Sequence, residues 1–244
     1  MKKTFTLLLA AAGMAMGAQE ITLSGAGDTF DVSGETFVKG AASVAFILND
    51  SVYSTLSNVA TPLFYLGGVN RSGENPGTGD SNIGVSMRER EGEENSFAAA
   101  LWRHNTAFTS GPVTSGSINL PIAGDDVVYT TMVFTVQTID ANRVTTTCYC
   151  YGHNAAGDII VFADNNMTMS QNQTVSYSDM NDCYKSFYIN PNAISLENVK
   201  LFNGVIDNQQ AVVTALVQAN IPEPATATLS LLALAGLVAR RRRK

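Results

Sequence analysis

Chemistry is best sought first in "MREREGEEN", residues 87–95, where Glu89, Glu91 and Glu93 alternate with Arg90 and Gly92. In an extended strand alternate residues share a face, with neighbours about 6.5 Å apart. That spacing is compatible with the roughly 5–5.5 Å carboxyl separation of a retaining glycosidase, which makes Glu89 and Glu91 the candidate catalytic residues. A general acid, however, needs a dry pocket to raise its pKa, and Arg88 and Arg90 would favour ionised carboxylates instead. The segment therefore reads as a solvated hairpin tip turning at Gly92, and no catalytic residue is assigned.

Cys148, Cys150 and Cys183 are the three cysteines. The first two alternate in one strand, point to one face about 6.5 Å apart and do not suit a bond with each other, so Cys183 is the expected disulfide partner of Cys148 or Cys150. The remaining thiol reads as a small buried hydrophobe. His153 lies near the pair in sequence, with nothing to turn it toward their face. Neither His104 nor His153 has a partner at zinc-ligand spacing. Asp125, Asp126 and the loop 70–82 offer oxygens for a structural calcium, but no Asp-x-Asp-x-Asp-Gly run accompanies them, so no metal or other cofactor is assigned. Trp102, the sole tryptophan, sits in an alternating strand and reads as core rather than as a sugar-stacking platform.

The elements that would position these residues are strands. Short apolar or β-branched runs occur at 44–48, 63–66, 83–87, 97–102, 127–139, 143–151, 159–163, 186–189 and 196–202. Gly, Asn, Asp, Ser and Pro clusters separate them, which is the punctuation of antiparallel sheets. One helix is expected, over 208–218, with Asp207 as its cap.

Three segments in order, "SVAFILNDSVYSTLSNVATPLFYLGG", "MVFTVQTIDANRVTTTCYCYG" and "ISLENVKLFNGVIDNQQAVVTAL", resemble the opening strands, central hairpin and closing strand of a laminin-G-like or concanavalin-A-like domain. The resemblance implies an all-β, two-sheet antiparallel jelly-roll sandwich. It departs at the turn after the central hairpin, where Tyr151-Gly152-His153-Asn154 replaces the usual Tyr-x-Asp-Gly. Laminarinase-like enzymes of that fold carry apolar spacers between their acids, unlike Arg90 and Gly92 here.

Both ends read as signals. Lys2 and Lys3, an apolar run over 5–12 and small residues up to Gly17 and Ala18 form a secretory signal peptide, residues 1–18, cleaved after Gly17 or Ala18. The body, 19–220, is expected to be one β-sandwich domain. At the other end, Ala225 to Ala239 is 15 uncharged residues, about 22 Å as a helix against a hydrocarbon core of ~30 Å, and so a short transmembrane helix. Arg240, Arg241, Arg242, Arg243 and Lys244 would hold it with its end in the cytoplasm. Ile221-Pro222-Glu223-Pro224, the short apolar helix and the Arg-rich end together resemble the PEP-CTERM sorting signal, residues 221–244. That resemblance implies recognition and processing at Pro222, Glu223 and Pro224 by an exosortase of a Gram-negative envelope, after export by the Sec machinery and a transient stay in the inner membrane.

The signals hold seven of the 15 basic residues and one of the 21 acidic ones, so residues 19–221 carry 8 basic against 20 acidic side chains, a net charge of about −12. Such a surface repels phosphate backbones and excludes nucleic acid. The expectation is an exported, non-catalytic protein of the cell surface or extracellular matrix. A glycan-binding module of the same fold, with extracellular polysaccharide as partner, is the alternative, and a glycoside hydrolase comes third.

Overall fold

Ala42–Ile47 is buried at every position, which a strand achieves only when both of its sheet's faces are covered. Its sequence, Ala-Ser-Val-Ala-Phe-Ile, accordingly shows no polar alternation. Around this strand the computed structural model describes residues 17–25, 27–52, 61–67, 82–89, 97–104, 113–119, 126–140, 143–170 and 184–221. The strands are β1 (Glu20–Ile21), β2 (Thr29–Asp31), β3 (Ala42–Ile47), β4 (Thr61–Gly67), β5 (Asn82–Glu89) and β6 (Phe97–His104), followed by β7 (Val113–Asn119), β8 (Tyr129–Asp140), β9 (Arg143–His153), β10 (Ile159–Ser170), β11 (Ser186–Ile189) and β12 (Val199–Phe202). A helix, α1, spans Gln209–Asn220.

Two six-stranded antiparallel sheets result, ordered β1-β12-β3-β8-β9-β10 and β2-β11-β4-β5-β6-β7. We call them sheet A and sheet B. The long β8–β9 hairpin pairs Tyr129 with His153 at one end and Asp140 with Arg143 at the other. Between the sheets, Val44, Phe46, Met132, Phe134, Cys148 and Cys150 from sheet A meet Phe64, Leu66, Val85, Met87 and Phe187 from sheet B in one hydrophobic core. Phe64 is its hub: its ring lies 5.5 Å from Phe46, 5.4 Å from Phe134 and 6.0 Å from Phe187, the first two edge-on. Such tilted pairs add to plain area burial.

A second cluster covers the outer face of sheet A. Val213, Leu216 and Val217 of α1, spaced as one face of a helix, pack on Ala45, Ile47, Val133 and Tyr151. The parity of β3 and β8 thus divides cleanly, with alternate residues feeding the inter-sheet core and the helix. Ser43, the one polar residue of β3, is satisfied there: its hydroxyl donates to the Gly204 carbonyl at 2.8 Å and accepts from the Ile206 amide at 3.2 Å.

The all-β, two-sheet reading and its core strands are met, with differences that have physical causes. The expected strand over 196–202 starts at Val199, because Leu196–Asn198 forms a 3-10 turn. The helix is capped by Asn208 rather than Asp207: the Asn208 side chain accepts from the Ala211 amide at 3.0 Å. Strands β1, β2 and β7 were not expected. The first two are only two and three residues long, too short for alternation to register. Among the described residues no helix is long and apolar enough to cross a membrane, and the expected transmembrane stretch, Ala225 to Ala239, lies outside the described residues.

Replacing the hub should be costly. Phe64→Ala is expected to lower stability by about 3–5 kcal/mol, the usual range for emptying a buried phenylalanine site, read as a shifted urea midpoint.

Candidate functional site

The C-terminal end of α1 is where the folded body meets the segment expected to carry the sorting signal. Val212 to Val217 supply the apolar face, and full burial of each large side chain contributes about 1.5–3 kcal/mol. The helix stops at Asn220 because Pro222 disfavours helical geometry at the residue before it, and Ile221 is extended. Its amide still donates to the Val217 carbonyl at 3.1 Å, and its side chain packs on the cluster beneath the helix.

Two clasps hold this end down. On one side, the Gln218 side-chain amide donates to the Ala156 carbonyl at 3.1 Å. On the other, the Asn220 amide donates to Asn198 Oδ1 at 2.8 Å, just ahead of β12. Gly157 makes the first clasp fit. It sits at φ +87, which favours glycine, and a Cβ there would come within 2.6 Å of Gln218 Nε2 and 2.9 Å of Ile221 Cδ1.

The turn that receives the helix, Asn154 to Asp158, is self-bonded. Asn154 Oδ1 accepts from the amides of Ala156 (3.0 Å) and Asp158 (2.9 Å), and its own amide donates to the Asp158 carbonyl at 3.0 Å. Beneath it lies His153, fully buried. Its Nδ1 is 3.1 Å from the Gly157 carbonyl, which can only accept, so Nδ1 carries the proton. Nε2, 2.9 Å from Thr131 Oγ1, then accepts from that hydroxyl. Desolvation pushes the imidazole pKa below its ordinary value, against the smaller upward pull of the Gly157 carbonyl. His153 is thus a neutral structural pin.

The other candidates separate. Cys148 and Cys150 share the core face of β9, as their spacing requires, while Tyr149, Tyr151 and His153 belong to the helix-covered face. Burial raises both thiols, and in Cys150 the neighbouring Cys148 adds to the effect. Such thiols are poor nucleophiles. They are not bonded to each other, and Cys183, the expected partner, lies outside the described residues.

Glu89 is the last residue of β5, paired with Phe97 as a hairpin reading requires, and Glu91 lies outside the described residues. Strand pairing places Trp102 opposite Gly84, in the row of Tyr65 and Tyr188. His104 ends β6. Asp126 is exposed, while Asp125 lies outside the described residues, as do Pro222, Glu223, Pro224 and Arg240 to Arg243. Among the described residues, no group of three or more His, Cys, Asp or Glu side chains is gathered as a metal ion would need.

Sequence reasoning missed the clasp. Its signals were the turn "NAAGD" at 154–158 and the departure from the Tyr-x-Asp-Gly pattern at the same place.

Comparison with protein families matches residues 220–244 to the PEP-CTERM protein-sorting motif, beginning at the last residue of α1. Comparison with curated proteins finds no match to this chain. The motif marks the chain as an exported protein, recognised by an exosortase and sorted to the cell envelope or surface.

The buried neutral imidazole gives the body a pH dependence of definite sign. Because the folded pKa lies below the ordinary 6.5, the unfolded chain binds more protons below that value. Stability contributed by His153 is complete above about pH 6.5 and is lost as pH falls through 6.5 toward the folded pKa. His153→Asn should flatten the loss between about pH 7.5 and about pH 5, measured by urea unfolding across that range.

Proposed function

We propose that this chain is a non-catalytic structural protein of the cell envelope or extracellular matrix. In this reading an N-terminal signal peptide and the Sec machinery export it. Its short apolar tail holds it transiently in the inner membrane, and the exosortase removes that tail at Pro222-Glu223-Pro224. The observation that carries the proposal is the match of residues 220–244 to the sorting motif directly beyond a helix docked on the body. The non-catalytic part draws support from Cys148, Cys150 and His153, which are committed to cores and hydrogen bonds. Two packed antiparallel sheets also fit the jelly-roll of concanavalin-A-like domains, whose fold alone does not carry an activity.

In a host with an exosortase, Pro222→Ala combined with Glu223→Ala should leave the chain membrane-bound at full mass. Deletion of Arg240 to Lys244 should impair insertion. Fractionation and intact-mass measurement of a version tagged within the body read both effects. Wild-type protein recovered from the inner membrane with Arg240 to Lys244 attached would mean that the tail is only an anchor.

A second reading, glycan binding, has its own support. Tyr65 and Tyr188 stack at 4.4 Å with an interplanar angle of 20°, in the sheet-B row that also contains Gly84 and Trp102. Beside the row at the β2 edge lies an open depression of about 500 Å³ lined by Thr29, Asp31, Ser33, Lys185 and Ser186. Tyr65 is buried, so half-buried Tyr188 is the ring that would meet a sugar, and an aromatic face beside hydrogen-bonding groups suits neutral sugars. A glycan array with the purified body should then show a polysaccharide signal that Tyr188→Ala removes. A blank array retires this reading and leaves the structural one.

A further inference from the structure

The described body has seven well-exposed large hydrophobic residues, and they are unevenly distributed. Val128, Ile160, Val161, Phe162 and Leu196, each at least 40% exposed and Phe162 at 51%, belong to the sandwich end where α1 finishes. Val128 precedes β8, Ile160 to Phe162 open β10, and Leu196 lies two residues before Asn198, the clasp partner of Asn220. Ile139, 47% exposed, sits beside the β8–β9 turn at the opposite end, about 34 Å away along the strand, and Val38 precedes β3 at that same far end.

Phe162 is seated on this rim by Tyr151, 5.1 Å between ring centroids, and stacks on Tyr149 at 6.3 Å. Val128 and Ile160 line one open depression with Asn154, Ala155 and Ala156 of the clasp turn and with Asp126. Clustered exposed apolar side chains of this kind mark a contact surface.

The chain itself indicates what covers them. Only four residue steps separate Ile221, held in this end by its packing, from Ala225, the first residue of the 15-residue apolar stretch; they span at most about 14 Å. Once that stretch enters a bilayer, the clasped end of the sandwich has no slack with which to stand away from it. Exposed Asp126, Asp158 and Glu197 flank the rim, so an uncharged, zwitterionic surface suits it better than an anionic one.

We propose that, while the tail is inserted, the rim formed by Val128, Ile160, Val161, Phe162 and Leu196 rests in the outer interface of the membrane. It orients the sandwich end-on over the processing site. The inference depends on the membrane step of the function proposed above. In that posture β8 and β9 project away from the membrane, Ile139 lies farthest from it, and Pro222 to Pro224 are confined to the gap.

The test is depth-dependent quenching in the full chain, reconstituted in phosphatidylcholine vesicles whose acyl chains carry bromine. Phe162→Trp, Leu196→Trp and, as the distal control, Ile139→Trp are compared by the emission each adds to that of wild type. Trp at 162 and at 196 should lose emission to the bromines, whereas Trp at 139 should not. Flotation of the same vesicles reports insertion separately. A chain that fails to float overturns the membrane step and the rim with it. A chain that floats without quenching at 162, or with equal quenching at 139, overturns the rim alone. Loss of processing in Phe162→Asp without quenching at 162 would make the rim a contact of the processing enzyme and likewise overturn the membrane posture.

Discussion

Docking of α1 on the outer face of sheet A is the interaction on which the rest of the molecule depends. A two-sheet sandwich with one open face needs polar alternation in every strand. Here β3 has almost none, and Ala45, Ile47 and Val133 would be stranded in water without Val213, Leu216 and Val217 above them. The helix therefore completes the cover of sheet A. Its last turn is tied to the β9–β10 turn through Gln218 and to the start of β12 through Asn220.

The same parity explains why the chemistry-bearing residues are spent on structure. Along β9, Cys148 and Cys150 face the inter-sheet core, while Tyr149, Tyr151 and His153 face the helix side. A cysteine and a histidine of this strand are on opposite sides of a sheet and cannot form a nucleophile–base pair, whatever their distance in sequence. Burial then does opposite things to their charge states with one outcome. It raises the thiols and lowers the imidazole, so both are held neutral.

Much of this was legible in the sequence, and the gaps have causes. Strands in contact with a large core were readable because several apolar residues recur within four to eight positions. β1 and β2 were not, since Glu20–Ile21 and Thr29–Asp31 exist only through pairing with β12 and β11, partners more than 150 residues away. The shared face of Cys148 and Cys150 followed from period two alone. The helix was visible over 208–218, but its cap was misread, because Asp207 and Asn208 are both good caps and only geometry separates them. The clasp was invisible: Gly157 reads as an ordinary turn glycine until the helix that passes over it is placed.

The position of the clasp also bears on how the tail can be removed. Both clasps and the packing at the end of α1 are made by residues up to Ile221. Cleavage among Pro222, Glu223 and Pro224 would leave the residues of both clasps and of the helix's buried face in the body. A cut one helical turn earlier would carry away Gln218, Asn220 and Ile221, and with them both clasps and the Ile221 side chain that packs on the cluster. A proline two residues past the helix and a glycine beneath its last turn therefore act on the same end: Pro222 disfavours helical geometry at Ile221, and Gly157 lets Gln218 and Ile221 seat against the body.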